Sequence, residues 1–100
     1  MGAIEFYIEQ LRLLWVQFIQ GRLIKVLRDI NITDKQAQER LDAHNAIRKT
    51  FDAWAVGIRP IRLHKSLSRV IKLMKILGIE TPAPNKIVED FLKSGELPEY

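Results

Sequence analysis

Six cations between residues 59 and 75 have the type and the spacing that phosphate binding requires. Four of them recur at intervals of three, four and three residues, which would place them on one side of an α-helix. A row of this kind neutralises phosphates and releases their counterions, which is the main source of affinity for nucleic acid. The sequence therefore predicts a nucleic-acid-binding face, with DNA favoured over RNA, made of Arg59, Arg62, Lys65, Arg69, Lys72 and Lys75.

The distribution of charge favours this hypothesis over the alternative, an ordinary solvated side of an amphipathic helix. The chain carries a net charge of +4, and residues 53–79 contain no Asp or Glu. A solvated face usually mixes cations with anions, whereas this one is purely cationic. No aromatic residue interrupts the row to stack on bases, so binding of low sequence specificity is expected. An acidic protein surface is the alternative partner.

The remaining reactive side chains do not form a pattern typical of an enzyme. His44 and His64 fall on different predicted helices without a carboxylate or a second histidine at ligand spacing, so no metal site is expected. The sequence contains neither a glycine-rich phosphate loop nor a nucleophile elbow, and it contains no cysteine. These observations predict a binding protein with no catalytic residue, no cofactor and no small-molecule substrate.

Helix 1 is expected from Ala3 to Ile30, with a kink or a change of packing partner at Gly21, where its apolar stripe shifts to another side. The first half of this helix carries more large apolar side chains than three other helices can easily cover. The crowding predicts an interface, in a homo-oligomer or with another protein, formed by Phe6, Tyr7, Leu11, Leu14, Trp15 and Phe18. The alternative is a central helix that the other three helices surround.

Three further helices follow from apolar periodicity and from residues typical of helix ends. Helix 2 is expected over residues 34–56, after a capping box of Thr33 and Gln36. Helix 3 is expected over residues 60–77, with Pro60 in its first position and a Schellman motif at Gly78 and Ile79. Helix 4 is expected over residues 85–93. The predicted inner faces are Leu41, Ile47, Phe51, Trp54 and Ala55 on helix 2, and Ile87, Val88, Phe91 and Leu92 on helix 4.

Together these elements predict an all-α protein, a compact four-helix array of three longer helices and a short C-terminal one. Residues 1–95 would form a single domain and residues 96–100 a short acidic tail. The longest apolar runs have four residues, so no transmembrane helix is expected. The N-terminal residues lack the pattern of a secretory signal, which predicts a cytoplasmic protein. No membrane association is expected either, because Glu5 and Glu9 lie among the apolar residues of helix 1 and anionic lipid would repel them.

Two local resemblances concern the second half of the chain. The junction of helices 2 and 3 resembles part of a helix-turn-helix motif, with an ordinary helical hairpin turn as the alternative. The stretch from Arg59 through Leu77-Gly78-Ile79 to Thr81-Pro82, about a quarter of the chain, resembles the last helix of some phage small terminase subunits. No functional residue is carried over, because a Schellman motif followed by proline produces the same pattern of leucine, glycine, an apolar residue and proline in unrelated helices. The alternative function is a subunit or adaptor of a larger assembly, including one of phage or mobile-element type, with helix 1 as the interface.

Overall fold

The described part of the chain is folded into α-helices. The structure, a computed structural model, describes residues 2–21 and 33–96, and within these ranges it contains four helices and no strand. The helices are α1 (Ala3–Gly21), α2 (Asp34–Ala55), α3 (Leu63–Ile76) and α4 (Lys86–Ser94). The predicted all-α fold, with three longer helices and a short C-terminal one, is confirmed. The predicted extension of helix 1 over residues 22–30 and most of the predicted acidic tail lie outside the described residues.

Two of the helices begin after an N-cap residue whose short polar side chain accepts a hydrogen bond from a backbone amide of the first turn. The Thr33 hydroxyl accepts a hydrogen bond from the Gln36 amide at 3.1 Å, and the Gln36 side chain accepts one from the Thr33 amide at 3.0 Å. This reciprocal pair is the predicted capping box, and it satisfies two amides that have no partner within the helix. At the start of α4, the Asn85 side chain accepts a hydrogen bond from the Val88 amide at 2.9 Å.

The end of α3 confirms the predicted Schellman motif. Gly78 adopts a φ of 77°, a left-handed conformation that favours glycine. The Ile79 amide donates to the Met74 carbonyl at 2.9 Å, and the Gly78 amide donates to the Lys75 carbonyl at 3.0 Å. Ile79 is buried, so it folds back onto the core as expected. This ending fixes the direction in which the chain leaves α3 towards α4.

The start of α3 differs from the sequence-based prediction. The helix begins at Leu63, with Arg62 at its N-cap, and Pro60 lies in the preceding turn instead of in the first helical position. The reason is a tertiary contact: the Arg59 guanidinium donates to the Trp54 carbonyl at 2.8 Å and to the Glu5 carboxylate at 3.0 Å. These contacts anchor the chain beside the end of α2, so residues 58–62 serve to reverse its direction before α3 can begin.

The core lies where all four helices meet. α2 packs on α3, α3 packs on α4, and α4 packs on α1. Trp15 packs α1 against α2, because its ring lies 5.0 Å from the His44 ring and 6.4 Å from the Phe51 ring, measured between centroids. The buried side chains are Ile4, Tyr7, Ile8, Leu11, Trp15, Phe18, Ala43, Ile47, Phe51, Trp54, Leu67, Val70, Met74, Leu77, Ile79, Val88 and Phe91.

Three residues predicted to face inward lie on the surface. Leu41 and Ala55 are exposed on α2, where Ala43 is buried instead, and Ile87 is exposed on α4. At about 100° per residue, Leu41 lies roughly a third of a turn away from Ile47, six residues later. The buried stripe of α2 therefore passes through Ala43 and Ile47 and leaves Leu41 at its side.

Tyr7 joins α1 to the connection between α3 and α4. Its hydroxyl donates a hydrogen bond to the Pro82 carbonyl at 2.7 Å, although 75 residues separate the two in the sequence. Burial raises the pKa of the Tyr7 phenol above its ordinary value of 10.0, and a hydrogen bond with the Thr81 side chain acts in the opposite direction. Folding therefore favours the protonated phenol.

This raised pKa predicts a loss of stability in alkali. Below the ordinary pKa of 10.0 the contribution of the protonated phenol is fully present. Above that value the unfolded chain releases the proton first, so the free energy of unfolding falls as the pH rises through the pKa of the folded state. Tyr7→Phe should remove this dependence and cost about 0.5–1.5 kcal/mol at neutral pH, because the hydrogen bond is lost. Denaturant titrations of both proteins from neutral pH to beyond the pKa measure the difference, and identical pH profiles would contradict the prediction.

Candidate nucleic-acid interface

One side of α3 is packed and the opposite side is cationic. Leu67, Val70 and Met74 are buried against the other helices, at spacings of three and four residues. The periodicity that buries these residues directs the intervening cations towards solvent. Five of the six predicted phosphate-binding residues are exposed here: Lys65, Arg69, Lys72 and Lys75 lie on this side of α3, and Arg62 lies at its N-cap.

These five cations have no carboxylate partner among residues 2–21 and 33–96. Ion pairs in that part of the chain include those of Arg12 with Glu9, Arg48 with Asp52 and Arg59 with Glu5. The absence of acidic residues over 53–79 leaves α3 without a carboxylate of its own. A cation without an internal partner keeps its full charge available to an external anion. We call this surface the cationic face of α3.

Arg59, the sixth predicted residue, is engaged within the chain. Its guanidinium bonds the Trp54 carbonyl and the Glu5 carboxylate, and its central carbon lies 5.7 Å from the centre of the Trp54 ring. Its Nε atom is buried and has no acceptor among the described residues. Arg59 therefore holds the turn between α2 and α3 against the first turn of α1. Five of the six cations are therefore available to solvent, whereas Arg59 is bound by Trp54 and Glu5.

The predicted interface residues of helix 1 separate into two groups. Phe6 is 58 % exposed, and Leu14 is partly buried at the surface. The other four contribute to the core of this chain, and they are Tyr7, Leu11, Trp15 and Phe18. Leu13, which is not among the six predicted interface residues, is 50 % exposed on the same helix. Its position away from the main apolar stripe of helix 1 is the signal that identifies it.

A shallow groove runs between α1 and the connection that follows α3. One part, of about 530 Å³, lies between Leu13 and Leu14 on α1 and Pro82 on the connection. A second part, of about 520 Å³, continues past Phe18 towards Ile79 and shares Leu14, Gln17 and Glu80 with the first. The groove is lined by apolar side chains, with Gln10, Gln17, Glu80 and Thr81 supplying polar groups.

Three exposed aliphatic residues in the turn between α2 and α3 were not predicted from the sequence. Val56, Ile58 and Ile61 are 74 %, 60 % and 104 % exposed. Periodicity gives no warning of them, because a turn has no face that repeats. The available signal is composition, since turns usually consist of polar residues together with glycine and proline.

The histidines and carboxylates of the described residues do not converge. His44 packs on Trp15, and the His64 ring lies 6.2 Å from the Phe91 ring. Over residues 2–21 and 33–96, no group of three His, Asp or Glu side chains is placed to hold a metal ion. In the same part of the chain, no helix combines the length and the apolar character needed to span a lipid bilayer.

Comparison with protein-family models, with curated proteins and with solved structures gives no match.

Proposed function

We propose that this chain is a small, non-enzymatic nucleic-acid-binding module of low sequence specificity, which contacts phosphates through the cationic face of α3. The observation that carries the proposal is that five exposed cations, four on one side of α3 and Arg62 at its N-cap, have no carboxylate partner among the described residues. Arg59 contributes indirectly, because it fixes the turn from which α3 begins.

The dimensions of the face support a polyanion as the ligand. Arg62 and Lys75 are separated by thirteen residues, which corresponds to about 20 Å along a helix. One strand of B-DNA carries about six phosphates over that length. A compact anion would meet only one or two of the cations at once. A phosphate backbone that follows the helix can meet all five.

The absence of aromatic side chains along the face favours contact with phosphates over contact with bases. Residues 62–75 contain no Phe, Tyr or Trp, so no ring is available in this segment to stack on an unpaired base. Affinity would then come from counterion release, which depends little on base sequence. Duplex DNA is the preferred partner in this proposal. Single-stranded RNA is the ligand with which its affinity is compared.

The test is fluorescence anisotropy with labelled duplex DNA and single-stranded RNA across a salt series. If all five cations meet phosphates of duplex DNA, the logarithm of the binding constant should fall with the logarithm of the salt concentration with a slope of about −4.5. This slope corresponds to a loss of roughly five hundredfold in affinity between about 50 and 200 mM salt. No binding at low salt would contradict the proposal.

A second candidate function is protein–protein interaction through α1, in a homo-oligomer or in a larger assembly. The observation that favours it is the exposure of Phe6 and Leu13 on one helix, with Leu14 at the edge of the groove. Large apolar groups that stay exposed beside a groove are typical of a surface that binds another protein. Apolar contacts respond little to salt, so a partner that stays bound through the same salt series would favour this candidate.

A further inference from the structure

The turn between α2 and α3 presents an apolar surface, which we call the apolar tip and define as Val56, Ile58 and Ile61. All three side chains are more than half exposed, and Ile61 is fully exposed. Single exposed aliphatic residues are common on protein surfaces, but three within six residues form a concentrated patch. Nothing in the described part of the chain covers them.

The apolar tip is held in place by contacts on its inner side. Gly57 adopts a φ of 85°, and the Ile58 amide donates to the Ala53 carbonyl at 3.0 Å, which closes the end of α2. Arg59 then binds Trp54 and Glu5 at the positions given above. These hydrogen bonds direct Arg59 inward while its aliphatic neighbours stay in solvent. The tip is therefore preorganised, so little conformational entropy is lost when it enters an apolar phase.

The charges around the apolar tip suit an anionic partner. Arg62 follows Ile61 directly, Lys65 lies one helical turn further on, and both are exposed without a carboxylate partner among the described residues. Glu5 and Glu9, the two carboxylates expected to repel anionic lipid, are both paired with cations: Arg59 binds Glu5 at 3.0 Å, and Arg12 binds Glu9. Asp52, one helical turn before Val56, lies 3.9 Å from Arg48. These pairs reduce the repulsion that the carboxylates would exert on an anionic surface.

We propose that the apolar tip docks onto the surface of an anionic lipid bilayer. The three aliphatic side chains enter the boundary between headgroups and acyl chains, and Arg62 and Lys65 contact lipid phosphates and carboxylates. Binding is reversible, because a patch of this size anchors a protein far more weakly than a membrane-spanning helix.

The shape of the patch favours a bilayer over nucleic acid as the phase that receives it. An apolar wedge in DNA separates neighbouring base pairs, and these are only about 3.4 Å apart along each strand. Three aliphatic side chains spread over six residues form a broader surface than such a step admits. A bilayer interface accepts a broad patch, and its headgroups supply anions at the edge of that patch. Because Arg62 and Lys65 serve both proposals, anionic vesicles and DNA should compete for the protein.

The absence of cysteine allows a direct test of insertion in the full chain. Ile61→Cys, labelled with a polarity-sensitive fluorophore, should shift its emission to the blue when vesicles of phosphatidylcholine and phosphatidylserine are added. Vesicles of pure phosphatidylcholine should give little shift, because their headgroups carry no net charge. Ile87→Cys with the same label is the matched control, since Ile87 is an exposed isoleucine on α4, and its emission should stay unchanged.

A second pair of variants measures affinity without a label. Ile58→Ser with Ile61→Ser should weaken binding to the anionic vesicles by at least about tenfold in a flotation assay. Ile76→Ser with Ile87→Ser makes the same chemical change at two exposed isoleucines outside the tip and should bind like the unmodified chain. Circular dichroism checks that both variants are folded.

Two results would overturn the lipid proposal. One is the absence of a blue shift with anionic vesicles for the label at position 61. The other is a blue shift in the emission of this label when duplex DNA is added in the absence of vesicles, which would identify Ile61 as a wedge between bases. Binding to DNA in the salt series is measured separately, so failure of lipid binding leaves the nucleic-acid proposal to its own test.

Discussion

Reversal of two charges on the cationic face of α3, in the variant Arg62→Glu with Arg69→Glu, should abolish binding of nucleic acid and leave the fold intact. The face would then carry three cations and two anions, so its attraction for phosphates nearly vanishes. We expect the affinity for duplex DNA to fall by at least about a hundredfold at low salt. Anisotropy at a fixed salt concentration measures the loss.

The fold should tolerate this variant because neither side chain contributes to packing. Both residues are exposed and make no ion pair with the described residues. Glu at position 62 also lies at the N-terminus of α3, where the helix dipole favours a negative charge. Circular dichroism and thermal unfolding should therefore match those of the unmodified chain.

A matched control separates the position of the charges from their number. Lys35→Glu with Lys49→Glu makes the same change in net charge at two exposed positions of α2. If the cationic face binds phosphates, this control should retain most of the affinity for DNA. Equal losses in the two variants would indicate an effect of net charge alone. Unchanged binding by the α3 variant would refute the assignment of the face.

The second large effect concerns stability. Trp15→Ala should lower the free energy of unfolding by about 3–5 kcal/mol, because the truncation leaves a cavity in the core between α1 and α2. The Trp15 side chain is only 4 % exposed. Its ring packs against the Phe18 ring, with the centroids 5.9 Å apart, and against His44 and Phe51 on α2. Small domains are typically stable by about 5–15 kcal/mol, so the variant is expected to be partly unfolded at moderate temperature.

Denaturant titration followed by circular dichroism measures this loss, and α1 provides its own control. Leu13→Ala removes an apolar side chain from the same helix, but at a position that is 50 % exposed. We expect it to change stability by no more than about 0.5 kcal/mol. If both variants were equally stable, Trp15 would not occupy the centre of the core. Loss of self-association in Leu13→Ala, with stability preserved, would favour the interface on α1.

The ends of helices were largely predictable because the interactions that form them are local. The capping box joins residues three apart, and the Schellman motif at Gly78 joins residues up to five apart. The cationic row was equally visible, since helical spacing alone decides which residues share a side. The sequence by itself therefore determined the all-α class, the four helices of the described residues and the charge pattern of α3.

Tertiary structure decided the features that depend on residues far apart in the chain. Arg59 has the spacing of a phosphate-binding cation, but Glu5 and Trp54 bind it within the fold, and 54 residues separate it from Glu5. That anchor also delays the start of α3 from Pro60 to Leu63 and leaves Ile61 in solvent. The buried side of each helix is chosen in the same way, because the neighbouring helices select one stripe among the apolar residues available. Local periodicity supplies the candidates for burial, and only packing between distant segments determines which of them reach the core.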